Sequence, residues 1–142
     1  MIIPWQYIES IKSYLIDSQW VVGYKFLFER ATDDSAFVRA RVFLADESIL
    51  HFSEYSELDE TGALRITTYS YHWMIASNEL LRRWDNTPHY PDLPGFPDHI
   101  HDGRQQNVLP GEPTDLFRVL DTIITTIGSS PETATNAETS DE

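Results

Sequence analysis

Phe37-Val38-Arg39-Ala40-Arg41-Val42-Phe43-Leu44-Ala45-Asp46-Glu47-Ser48-Ile49-Leu50-His51-Phe52-Ser53 is the stretch whose reading decides the fold. Two β-rich runs flank Ala45-Asp46-Glu47, and side chains alternate between faces along each run. If those three residues turn the chain, Val38, Ala40, Val42, Leu50 and Phe52 share one apolar face. Arg39, Arg41, His51 and Ser53 then share the other. A two-residue turn mixes the sets, because a slip of one residue flips a strand. A three-residue turn follows, and with it an antiparallel hairpin with one apolar and one polar side.

Working outward, residues 20–29 are rich in Val, Tyr and Phe and read as the preceding strand, with a polar turn over 31–35. Residues 58–62 form a loop, and 64–76 with 80–86 form a second hairpin around Ser77-Asn78-Glu79. Its register stays open. One choice gathers Ser70, His72, Arg83 and Asp85, and the other sets Arg83 and Asp85 beside Tyr71 and Trp73. Residues 4–16 place Trp5, Ile8, Ile11 and Leu15 on one helical stripe, with Pro4 suited to a first turn. Residues 113–127 repeat the pattern with Leu116, Val119, Leu120, Ile123 and Ile127. Five of the eight prolines fall within 87–111, so regular ladders are not expected there. The predicted fold is α+β: an antiparallel sheet of about five strands with an N-terminal and a C-terminal helix packed on it. Residues 1–127 make one domain, and 128–142, without a large apolar side chain, make a disordered acidic tail.

The 142 residues include no cysteine, which excludes thiolate nucleophiles, disulfides and Cys-based zinc sites. The opening residues lack the basic start and apolar run of a signal peptide, and no stretch is apolar enough for a membrane span, so a cytoplasmic protein is expected. The formal net charge is −13, a field that repels nucleic acid unless cations are clustered locally.

The chemistry-bearing text runs from Tyr69-Ser70-Tyr71-His72-Trp73 through Arg82-Arg83-Trp84-Asp85-Asn86-Thr87-Pro88-His89-Tyr90-Pro91 to Phe96-Pro97-Asp98-His99-Ile100-His101-Asp102-Gly103. Paired histidines can act as base and acid across a phosphodiester near neutral pH, and an arginine fork suits the developing charge. Arg83, His89, His99 and His101 supply that catalytic set, with the histidines expected on a solvent-facing, Pro-braced loop. Arg82, Arg83 and Arg104, helped by Arg39 and Arg41, offer a patch for RNA, and Tyr90 can stack on a base or hydrogen-bond to it. His72, Asp85 and Asn86 complete the binding candidates. Plainer roles compete. Tyr71, Trp73, Trp84 and Phe96 read as core or loop anchors, His72 as a structural histidine, Arg83–Asp85 as an ion pair, and Asn86 as an Asx turn. A metal-dependent hydrolase is the rival chemistry: His99-x-His101 could hold one divalent ion, completed by His89, Asp98 or Asp102, although no His-Glu-x-x-His spacing is present.

The combined pattern Tyr-Ser-Tyr-His-Trp, Arg-Trp-Asp-Asn-x-Pro-His-x-Pro and Phe-Pro-x-His-x-His-x-Gly resembles the TumE family of toxins from type II toxin–antitoxin systems. Tyr90 and Asp98 stand where that family commonly has His, and Glu47 and Glu79 where its turns have Gly. The resemblance covers nearly everything before the tail and implies a toxin neutralised by a cognate helix-turn-helix antitoxin. Three functions are then in play: a metal-independent ribonuclease toxin, a non-catalytic toxin that blocks a cellular partner, and a regulatory binding module.

Overall fold

A computed structural model describes residues 2–129. Helix α1 (Pro4–Asp17) leads into seven strands, β1 (Val21–Ala31), β2 (Ser35–Leu44), β3 (Ile49–Leu58), β4 (Leu64–Met74), β5 (Leu80–Asp85), β6 (His99–Asp102) and β7 (Val108–Pro110), and helix α2 (Leu116–Gly128) follows. The strands lie in sequence order in one sheet, and every neighbouring pair is antiparallel. The α+β class and the two flanking helices are as the sequence predicts. Two further strands correct the count. Beyond Ser129 the expected acidic tail lies outside the described residues.

The extra strands form inside the Pro-rich stretch because its prolines cluster before His99. Pro110 closes β7, an edge strand, where a missing N–H costs no ladder bond. Close contact ties this edge to the loop before β6: a Cβ on Gly111 would stand 2.8 Å from the His99 amide, so only glycine fits.

The central hairpins share one turn design. Three residues turn between Leu44 and Ser48, between Asp59 and Ala63, and between Ile75 and Glu79, as the closing backbone hydrogen bonds show. Each ends on a left-handed residue: Glu47 (φ 73°), Gly62 (φ 82°) and Asn78 (φ 72°). The first turn is the one predicted. The last is Ala76-Ser77-Asn78, one residue earlier than expected, because Asn accepts positive φ more readily than Glu.

Both helices cover one side of the sheet. Val38, Ala40, Val42 and Leu44 of β2, Leu50 and Phe52 of β3, Tyr69, Tyr71 and Trp73 of β4 and Trp84 of β5 are buried with Ile8, Ile11 and Leu15 of α1 and the predicted stripe of α2. Trp5 departs from the reading: it is 55% exposed, and Pro4 takes the buried place at the start of α1. Glu54 of β3 is also buried on this side. It accepts hydrogen bonds from the Tyr7 and Tyr71 hydroxyls and from the Leu116 amide at the first turn of α2, joining both helices to the sheet.

Candidate functional site

The face away from the helices is set by strand register. Ser70 pairs with Asp85 and His72 with Arg83, which resolves the second hairpin in favour of the polar grouping. Continued across the sheet, the same register builds a single row: Lys25 opposite Arg41, Arg41 opposite His51, His51 opposite His72, His72 opposite Arg83, and Arg83 opposite His101. Six strands each contribute one basic or imidazole side chain. At about 4.8 Å per strand the row is about 24 Å long. A second row runs beside it through Arg39, Ser53, Ser70, Asp85 and His99.

One end of this face is closed. Asp85, His99 and His101 are buried, the two histidines only 2% and 3% exposed. Arg83 Nε donates to Asp85 Oδ2 at 2.8 Å, and Nη2 of the same guanidinium meets His101 Nε2 at 3.2 Å. His99 Nδ1 lies 2.9 Å from the Pro97 carbonyl and His101 Nδ1 2.8 Å from the Gln105 carbonyl. His99 Nε2 stands 2.9 Å from Asp85 Oδ1, yet without the alignment of a hydrogen bond. Tyr90 caps the group, its ring centroid 4.9 Å from that of His99 and 6.1 Å from that of His101. Burial holds the His101 pKa below the usual imidazole value, and the nearby Arg83 charge adds to this against the Gln105 hydrogen bond.

The other end is open. Arg39, His51, Ser53, Ser70 and His72 line a cavity of about 310 Å³. His72 Nε2 is buried within it and has no hydrogen-bond partner. Burial lowers the His72 pKa, and the Arg83 charge lowers it further. His51 is lowered by burial and then by Arg41 and Arg39. Both imidazoles therefore hold the neutral, proton-accepting form at neutral pH.

The structure divides the candidates that the sequence grouped. Arg83, Asp85, His99, His101 and Tyr90 come together, with His72 beside Arg83. His99 and His101 do not sit on a solvent-facing loop, which corrects that expectation: they alternate with Ile100 on β6, and both point to the polar face. His89 is exposed on the loop and apart from them. It shares a cavity of about 510 Å³ with Tyr90, Leu93, Gln106 and Val108. Arg82, next to Arg83 in the strand, projects to the helix side, pairs with Asp102 at 3.1 Å and lies over the Trp84 ring. Arg104 is exposed in the β6–β7 turn. Asn86 makes no Asx turn. Its side chain bridges to β4, accepting from the Tyr69 amide and donating to the Thr67 carbonyl, while Asp85 accepts from the Thr87 amide instead. Asp98 receives the Tyr69 hydroxyl, so neither Asp98 nor Asp102 joins the histidines. Phe96 is 43% exposed and is no core anchor. Lys25 and His51 join the face without having been legible as site residues, although strand alternation places His51 with Arg39 and Arg41.

Fold and site together define a small antiparallel meander with two helices on one face and, on the other, a basic and imidazole row that ends in a buried Asp–His group. A family model described as Toxin TumE matches residues 11–130. The chain belongs to this family, which makes it the toxin of a toxin–antitoxin system with an antitoxin as partner. Comparison with curated proteins and with solved structures finds no match. No helix among the described residues is long and apolar enough to cross a membrane.

Proposed function

We propose that this toxin is a ribonuclease that takes single-stranded RNA across the open sheet face and cleaves it by histidine acid–base chemistry. The observation that carries the reading is the row from Lys25 to His101. Despite a net charge of −13, the protein places Lys25, Arg41 and Arg83 in one row with three imidazoles, at a length that spans several phosphates. Arg83 receives the scissile phosphate. Buried Asp85 and His101 fix its guanidinium, so little ordering remains to be done when substrate arrives. His72 and His51, directly opposite each other, handle the protons. One takes the proton of the ribose 2′-hydroxyl as the 2′-oxygen attacks phosphorus. The imidazole pair then relays that same proton to the departing 5′-oxygen, leaving a 2′,3′-cyclic phosphate. His99 and His101 support Asp85 and Arg83 and do not themselves touch RNA. In this reading the protein works in the cytoplasm, and its helix-turn-helix antitoxin neutralises it by masking the basic row.

The test is cleavage of a 5′-labelled single-stranded RNA in the presence of EDTA. Products ending in 2′,3′-cyclic phosphate, with loss of cleavage but retained binding in His72→Ala, support the proposal. RNA left uncut and unbound at low salt rejects it. Cleavage that EDTA abolishes rejects the metal-free chemistry.

A further inference from the structure

Asp85 of β5 and His99 and His101 of β6 aim three ligand atoms at one buried point. We propose that they bind one divalent metal ion of the zinc type as a two-histidine, one-carboxylate set. This goes beyond the RNA-face reading and does not depend on it. The ligand atoms all lie within 4.8 Å of one another, with His99 Nε2 2.9 Å and His101 Nε2 3.7 Å from the carboxylate. Ligands at about 2.0–2.1 Å from a tetrahedral zinc are about 3.3 Å apart, so these separations bracket the required one.

The tautomers point the same way. A backbone carbonyl can only accept, so the contacts to Pro97 and Gln105 place a proton on Nδ1 of each ring. The Nε2 corner of His99 then faces Asp85 at 2.9 Å, and that of His101 faces Arg83 Nη2 at 3.2 Å with Asp85 at 3.7 Å. Anchoring of the far ring nitrogen by a carbonyl is the arrangement that orients metal-bound histidines. Arg83 meets part of the demand for positive charge, through Asp85 Oδ2 and His101 Nε2. It leaves His99 Nε2 facing Asp85 Oδ1 without a proton aligned between them. A divalent cation held there takes both atoms as ligands.

The site is also built for rigidity. All three ligands sit on paired strands, and the Tyr90 ring closes over both imidazoles. An ion must compete with Arg83 for His101 Nε2, so Arg83 acts as a built-in competitor whose removal tightens binding.

The full chain, stripped with a chelator and dialysed, is titrated with zinc chloride by calorimetry and melted with and without the metal. Cobalt(II) is added to a second sample as a spectroscopic probe. The expected results are one ion per chain, a higher melting temperature and the intense visible bands of four-coordinate cobalt. Asp85→Asn should weaken zinc binding at least tenfold, Arg83→Met should tighten it several-fold, and His89→Ala should leave it unchanged. The cobalt spectrum of the unaltered protein decides the matter even where a variant fails to fold. No stoichiometric binding at 0.1 mM metal with no cobalt bands overturns the proposal. Binding that survives Asp85→Asn or is lost in His89→Ala overturns it equally.

Discussion

The guanidinium of Arg83 is held through its Nε by the buried carboxylate of Asp85, two residues along the same strand and 2.8 Å away. The pair sits at the boundary of the site: the carboxylate is buried against His99 and His101, while the arginine reaches the open face. Asp85→Asn keeps the volume but removes the charge that orients Arg83. RNA cleavage is expected to fall by about 10²-fold, the scale of a misplaced transition-state group, with a smaller loss of RNA binding. Steady-state kinetics beside a binding titration separates these effects. Equal losses in both would mean that Asp85 serves binding alone.

Replacing the rest of the row should act on affinity without sequence preference. Each phosphate contact contributes about −0.7 to the slope of log K against log salt for a single strand. Arg41→Gln is expected to weaken RNA binding and flatten that slope by about this amount. Arg82→Gln, on the helix side, should change neither, although Arg82 adjoins Arg83 in sequence. Binding isotherms at four salt concentrations give the answer, and equal effects from the two variants would remove the sheet face from consideration.

Glu54 gives a stability prediction with a defined sign. Burial raises its pKa, against the hydrogen bonds from Tyr7, Tyr71 and Leu116 that favour the carboxylate. The folded protein therefore holds a proton that the unfolded chain releases, and this contribution is lost as pH rises from 4.5 through the higher folded value. Glu54→Gln lacks the titration, so its stability relative to the unaltered protein should improve across that window. Glu54→Ala should cost about 3 kcal/mol or more, since two buried donors and the part-buried Tyr7 hydroxyl lose their acceptor at about 1–3 kcal/mol each. Urea unfolding of the three proteins at several pH values tests both statements. A constant difference between Glu and Gln would mean that Glu54 ionises normally.

Co-expression with a cognate antitoxin should yield a stable heteromer and relieve growth inhibition. Masking the row of Lys25, Arg41 and Arg83 calls for a partner surface rich in Asp and Glu. Size-exclusion chromatography with a growth assay reads the outcome. No complex, together with no toxicity of the free protein, would count against a toxin role for this chain.

The sequence by itself determined the meander from β2 to β5, the three-residue turn after Leu44 and both helices. Each rests on a local period that burial enforces: two residues for a strand with one apolar face, 3.6 for a helix with one apolar stripe. It also carried the segment in which the site lies, because His and Arg are concentrated there. It did not determine which of those residues meet. Arg82 and Arg83 lie on opposite faces by strand alternation, and the register fixed by the turn at Asn78 decides that Arg83 is the one on the polar face. His89 resembles His99 and His101 in the text but stands apart, because only the latter two enter a strand. That strand, β6, carries too few residues for a periodic signal, and it exists because β5 offers an edge to pair with and Gly111 lets β7 approach closely. The row from Lys25 to His101 is likewise a product of tertiary structure, drawn from six strands by a register that no single stretch of sequence contains.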